Sequence, residues 1–111
     1  MDPFGTIIAR ARRAKKMRLV DLACQIFLRN GHPISIPHLS DLEHHRNPPS
    51  DDLIVQFASI LDISPDILFF SLGRIPPDLR QCSVSEEQVH VAFVAFRQVL
   101  EVPSHMAKNT V

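Results

Sequence analysis

A chain of 111 residues, 45% of them hydrophobic, is long enough to bury one small core, and a net formal charge of zero gives it no overall pull toward an anionic partner. Three glycines and almost no alternating apolar pattern point to an all-α fold. No apolar run approaches the ~18 residues of a membrane span, and the N-terminus carries no apolar signal core. Cys24 and Cys82 lack metal or disulfide spacing, so a reduced, cytoplasmic setting is expected, with both thiols acting as small buried hydrophobes.

The zero conceals an asymmetry. Residues 1–48 carry eight Lys/Arg against four acids, whereas residues 49–111 carry four against eight. A basic N-terminal half is what a phosphate-binding face requires, although a solvated helix face produces the same composition.

A first helix is expected over about Pro3 to Lys16, opened by Asp2 as N-cap and Pro3 in the first turn. Phe4, Ile7, Ile8 and Ala11 recur at the helical period. The second helix is expected over about Leu19 to Leu28, with Leu19, Leu22, Ala23, Ile26 and Phe27 facing inward, before Asn30-Gly31-His32-Pro33 breaks the chain. The third opens after Ser35, a natural cap, and ends near His45; Pro37 is tolerated where first-turn amides have no intrahelical partner.

Pro48-Pro49 stops that helix. Ser50 then caps a fourth, Asp51 to Leu61, whose two leading aspartates suit the positive end. Ser64-Pro65-Asp66 opens a fifth, about Pro65 to Leu72, ended by Gly73. Residues 74–84 read as a connector. Ser83-Val84-Ser85-Glu86 and Ser85-Glu86-Glu87-Gln88 both fit a capping box, and a last helix follows over about Glu86 to Glu101, stopped by Pro103. Its Val89, Ala92, Phe93, Phe96, Val99 and Leu100 form a seam, and Val91, Val94 and Ala95 carry the apolar surface further around. Apolar surface beyond one stripe marks an interface, so this helix is expected to pair between protomers, the alternative being that it folds back onto its own domain. Residues 103–111 are expected to fray.

Leu22-Ala23, the run Ile34-Ser35…Leu39-Ser40-Asp41-Leu42-Glu43…Arg46-Asn47-Pro48-Pro49-Ser50, and Phe57-Ala58-Ser59-Ile60-Leu61-Asp62-Ile63-Ser64-Pro65 together resemble the Cro/CI-like, or XRE-like, helix-turn-helix regulators over about residues 4–80. The resemblance implies a five-helix lambda-repressor-like domain over residues 1–73 that dimerises on operator DNA; residues 85–102 lie beyond it, and their apolar surface marks them as the expected dimerisation helix. It implies that Ser35, Ile36, Pro37, His38, Ser40 and Asp41 meet base edges, that Arg18, Arg46 and Asn47 hold phosphates, and that Arg12 pairs with Glu43 between helices. It also places His45 and Lys16 where the family commonly has glycine. Such turns span about four residues in helix-turn-helix units; here ten residues, Cys24 to Pro33, stand in that place.

The implied function is a sequence-specific DNA-binding transcriptional regulator, a repressor, acting as a homodimer on double-stranded DNA. The alternative is a protein-interaction module on the same fold, such as an antitoxin or phage-type accessory factor, favoured by the apolar Ile36, Pro37 and last helix. No nucleophile–base pair, Gly-rich phosphate loop or carboxylate cluster suggests an enzyme, and no cofactor is implied. His32, His38, His44 and His45 include no pair at i, i+4, so no metal site is expected.

Overall fold

A computed structural model describes residues 1–103, so the expected fraying of residues 104–111 lies outside the described residues. Among the described residues the protein is all-α, with seven helices and no strand. Residues 1–80 form one compact unit, and the chain from residue 81 forms a second.

In the first unit, α1 (Phe4–Ala14), α2 (Leu19–Ala23), α3 (Ile36–Glu43), α4 (Asp51–Leu61) and α5 (Pro65–Ser71) enclose the core. Phe57, Phe69, Ile8, Leu22, Ile26, Leu39, Leu42, Ile54 and Leu68 are its largest fully buried side chains. Phe4 meets Phe57 edge to face, with ring centroids 5.9 Å apart. That arrangement sets the positive edge of one ring against the negative face of the other.

Caps explain most starts. Ser35 Oγ accepts from the His38 amide at 3.1 Å, and Ser50 Oγ accepts from the Leu53 amide at 3.3 Å. Asp2 does not cap α1; Pro3 holds that position without a side-chain bond, and Asp2 instead takes the Arg10 guanidinium. Ser64 likewise precedes α5 without a side-chain cap bond.

α1 and α3 end alike, with a left-handed residue just past the last turn. Lys16 has φ 58° and His45 has φ 62°. The Met17 amide then donates to Arg12 O at 3.1 Å, and the Arg46 amide to Asp41 O at 3.0 Å, each bond reaching back across the final turn.

The expected helix over Leu19 to Leu28 stops at Ala23, and the rest is a clamped loop. Ile26 and Ile34 both point into the core, and the Ile34 amide donates to Ile26 O at 2.8 Å. Phe27 and Pro33 form an isolated antiparallel bridge, and the Leu28 amide donates to His32 O at 2.9 Å. Gly31 makes the reversal at φ 85°. From α4, the Gln56 amide grips both backbone groups of Phe27: Oε1 accepts at 2.7 Å and Nε2 donates at 2.8 Å. Phe27 is thus held by its backbone while its ring, expected inward, is exposed. Helical periodicity misassigned it because Ile26–Phe27 alternates as a loop edge does, one side chain in and the next out.

Two further expectations are corrected. Cys24 and Cys82 are both exposed rather than buried, Cys24 because α2 ends one residue before it. The stretch expected to be a plain connector contains a short helix, α6 (Pro77–Gln81). Arg74 and Arg80 both reach Asp51 at the start of α4, and the Arg80 bond in particular holds the Asp51 carboxyl below its ordinary range.

In the second unit, α7 (Glu86–Leu100) opens with a complete capping box: Ser85 Oγ accepts from the Gln88 amide at 3.1 Å, and Gln88 Oε1 accepts from the Ser85 amide at 2.8 Å. Its apolar residues are all exposed.

Gly5 sets the spacing of α1 and α3. A Cβ there would lie 2.5 Å from the backbone oxygens of both Leu42 and Glu43. A glycine-to-alanine change inside a helix ordinarily stabilises by roughly 0.5–1 kcal/mol. Here the obstacle is backbone, so Gly5→Ala is expected to destabilise by about 1–3 kcal/mol, as overpacking does. Thermal unfolding checks the sign; a higher Tm would mean that the α1–α3 seam opens freely.

Candidate nucleic-acid interface

The candidate surface is built on α3, and α3 is held from behind. Its buried face is Leu39, Leu42 and Glu43. Glu43 is a carboxylate with only 5% of its side-chain surface exposed, and it survives there because Arg12 meets it as a fork: Nε to Oε2 at 2.8 Å and Nη2 to Oε1 at 3.0 Å. Arg12 Nη1 also donates to Met17 O at 2.8 Å, so one guanidinium ties the end of α1 to the end of α3. The hydrogen bonds to Glu43 push the Arg12 guanidinium further toward its charged form, ahead of the opposing effect of burial.

With that side fixed, the opposite face of α3 meets solvent. Ser35, Ile36 and Pro37 are exposed; His38, Ser40 and Asp41 are half-buried. Ile36 keeps 43% of its surface in water, an apolar tip at the first helical position. Ser35 spends its hydroxyl on the cap, leaving two of its three hydrogen-bonding positions for other use. Ser40 Oγ lies 3.4 Å from His44 Nδ1, and the same nitrogen is 2.7 Å from Ser40 O. Because a carbonyl oxygen only accepts, His44 carries its proton on Nδ1.

Three cationic or polar groups flank this face. Arg46 and Asn47 follow α3, both exposed; Arg18 precedes α2, also exposed. Neither arginine is free. Arg46 Nη1 donates to Asp41 Oδ1 at 3.0 Å, and Arg18 donates to Asp21 through Nε at 3.1 Å and Nη2 at 3.0 Å. Asp21 also accepts from the Arg18 amide at 2.8 Å, closing the start of α2. The bond from the Arg18 side chain, then that from its backbone, holds the Asp21 carboxyl below its ordinary range; Arg18 in turn is held further toward its charged form.

The structure therefore brings Ser35, Ile36, Pro37, His38, Ser40, Asp41, Arg46 and Asn47 onto or beside one helix, with Arg18 at the start of the helix packed against it. The two acid partners were not part of the sequence expectation for those arginines. The Arg18–Asp21 spacing of i, i+3 across a helix start was the available signal; the Arg46–Asp41 contact needs the left-handed turn at His45, which no residue type announces. Gln56 was missed for a similar reason: its partner lies across a loop whose path the sequence does not specify.

Among the described residues no cluster of His, Cys, Asp or Glu is placed to hold a metal ion, and no helix is long and apolar enough to cross a membrane. Compared with known proteins, the chain matches no family model, no curated protein and no solved structure.

Removing one partner of the buried ion pair leaves the other charged and unpaired. Glu43→Ala is expected to cost about 3–5 kcal/mol, whereas replacing both Arg12 and Glu43 with apolar residues of similar volume costs far less. Chemical denaturation of the two variants checks this. Equal losses for both would show that packing volume, not charge pairing, sets the stability of the seam.

Proposed function

We propose that the protein is a sequence-specific DNA-binding transcriptional regulator, a repressor, with a five-helix lambda-repressor-like helix-turn-helix domain acting as a homodimer. The observation that carries the reading is α3 itself. It is capped by Ser35, packed against α2, and anchored to α1 by the Arg12–Glu43 fork. It turns Ile36, Pro37, His38, Ser40 and Asp41 outward and runs straight into Arg46 and Asn47.

In this reading α3 enters the major groove. Ile36 and Pro37 offer apolar contact to a thymine methyl, and Asp41 accepts from a cytosine amine. Arg18, Arg46 and Asn47 take backbone phosphates, which position the helix without reading sequence. The ten residues from Cys24 to Pro33 fit the scheme because Ile26 and Ile34 close the loop at its base, so the extra length projects outward instead of prising α2 from α3.

The homodimer is assigned to α7. Val91, Phe93, Val99 and Leu100 expose 55%, 41%, 79% and 50% of their surfaces, around more than one face of a two-ended amphipathic helix. Pairing two copies buries apolar area at about 25 cal/mol per Å², and a dimer of this kind meets two half-sites about one DNA turn, ~34 Å, apart. The protein-interaction alternative rests on the same exposed apolar residues and on Ile36. Selection of bound duplexes from a random pool separates the two, since only the first reading yields an enriched, near-palindromic site.

Arg46→Ala is expected to weaken binding to all sequences alike and to lower the salt-dependence slope by about one phosphate. Asp41→Asn is expected to shift preference at one base position by about 1–3 kcal/mol of discrimination, and to raise affinity for unrelated DNA by releasing Arg46. Filter binding across a salt series, with a site logo for each variant, checks both. Identical logos with an unchanged slope would remove these residues from the interface.

Phe93→Asp together with Leu100→Asp is expected to give a folded monomer that binds a full operator much more weakly than the parent. Sedimentation of the double variant as an intact dimer would move the protomer interface elsewhere.

A further inference from the structure

We propose that a depression between α1 and the C-terminal turn of α3 is a binding site for a small phosphate-bearing anion. It is lined by Thr6, Ala9, Arg10, Arg13, His44 and His45, with Glu43 at its base. None of these residues belongs to the proposed base-reading or phosphate-holding set, and the inference does not depend on that reading.

The lining follows from helical geometry. Thr6, Ala9, Arg10 and Arg13 lie three and four residues apart, so they share one face of α1. Ala9, buried and small, leaves room at the floor between the longer arginines. The opposite wall is the turn that ends α3. His45 sits there in the left-handed conformation, and its Nε2 lies 3.5 Å from Thr6 Oγ1 across the depression. The walls cannot drift apart easily. The α1–α3 crossing is fixed by the close approach at Gly5 and by the Arg12–Glu43 fork. A site whose walls are set before binding avoids much of the ordering cost of association.

The charges favour an anion. The groups facing the depression are Arg10 and Arg13 from α1, and Glu43, His44 and His45 from the end of α3. Glu43 is already neutralised by Arg12. Arg10 shares its charge with Asp2. Arg13 makes no ion pair among the described residues and is exposed, so its guanidinium is the principal anion ligand. A planar guanidinium matches two phosphate oxygens at once. His44 lines the site with its Nδ1–H already committed to Ser40 O.

The test uses the full chain, inorganic pyrophosphate as probe, and titration calorimetry at low salt, with a short random-sequence duplex as a second titrant. Expected are saturable binding of one pyrophosphate per protomer and a loss of about tenfold in Arg13→Gln, as for a lost charge-assisted pair. Arg13→Gln should leave the fold intact by circular dichroism, because that side chain is exposed. Absence of saturable pyrophosphate binding, or equal affinity in Arg13→Gln, overturns the proposal. So does a result in which pyrophosphate fails to bind but Arg13→Gln weakens duplex binding, since the depression then serves a nucleic-acid backbone phosphate.

Discussion

The seam between α1 and α3 is the constraint on which the first unit depends. Two features fix it. Gly5 lets the backbone of α3 approach so closely that no side chain fits between them. A few ångströms away the Arg12–Glu43 fork places two opposite charges in a site where their side chains keep only 10% and 5% of their surface in water. A buried ion pair is weak evidence of net stability, because desolvating both groups offsets their attraction. Its effect here is on geometry. The fork accepts one rotation and one translation of α3 relative to α1, and a slip of α3 along its axis would strand both charges. Apolar contacts alone would tolerate such a slip with small loss, since Leu39 and Leu42 would find other apolar neighbours.

How legible this was in the sequence varied with the kind of signal. Caps and apolar periods are local, and α4 was readable in full: Ser50, two aspartates and the run Leu53, Ile54, Phe57, Ala58, Leu61 all speak for one helix. The capping box at Ser85 and Gln88 was equally plain. The loop from Cys24 to Pro33 was not, because its stability is held by Gln56, more than twenty residues away in the chain, and by two isoleucines that also suit a helix. The short α6 was hidden by Pro76-Pro77, which read as a break although Pro77 holds the first helical position, where proline is well tolerated. Exposure of Cys24 followed from the early end of α2 and was not separately readable. The outward face of α3 was legible from its period, but the ion pairs that occupy Arg18 and Arg46 were not.

Helix ends were legible in part, since the resemblance puts Lys16 and His45 at positions commonly held by glycine. Glycine usually marks the left-handed residue after a helix, yet Lys16, His45, Asp62 and Glu101 all take that conformation with side chains in place. Each costs about 1 kcal/mol relative to glycine. Two of these positions carry compensating contacts. Lys15, beside Lys16, reaches Asp62 at 2.6 Å, tying the end of α1 to the end of α4. His45 puts its ring opposite Thr6 and hands the chain on so that the Arg46 amide closes the turn on Asp41 O. The same bond brings the Arg46 side chain back to the Asp41 carboxylate. The left-handed turn at His45 thus determines where the exposed Arg46 cation resides beside α3.

That placement bears on how a surface of modest charge would act on DNA in the proposed reading. Exposed ion pairs such as Arg46–Asp41 and Arg18–Asp21 contribute little, so a phosphate oxygen can replace the carboxylate at small cost. The carboxylates, however, stay near the phosphates and repel them, which lowers affinity for any sequence alike. A basic face without such acids gains its binding from counterion release at every site it visits. In that reading each arginine brings its own competing anion, which would hold non-specific binding down. Asp41 loses this disadvantage only where a base amine takes its free lone pairs, because the carboxylate then gains a donor in exchange for Arg46. On the proposed function, the pairing seen within the free protein would act as a penalty that only a suitable base step removes, and discrimination would arise from what wrong sequences fail to relieve as much as from what the right one contributes.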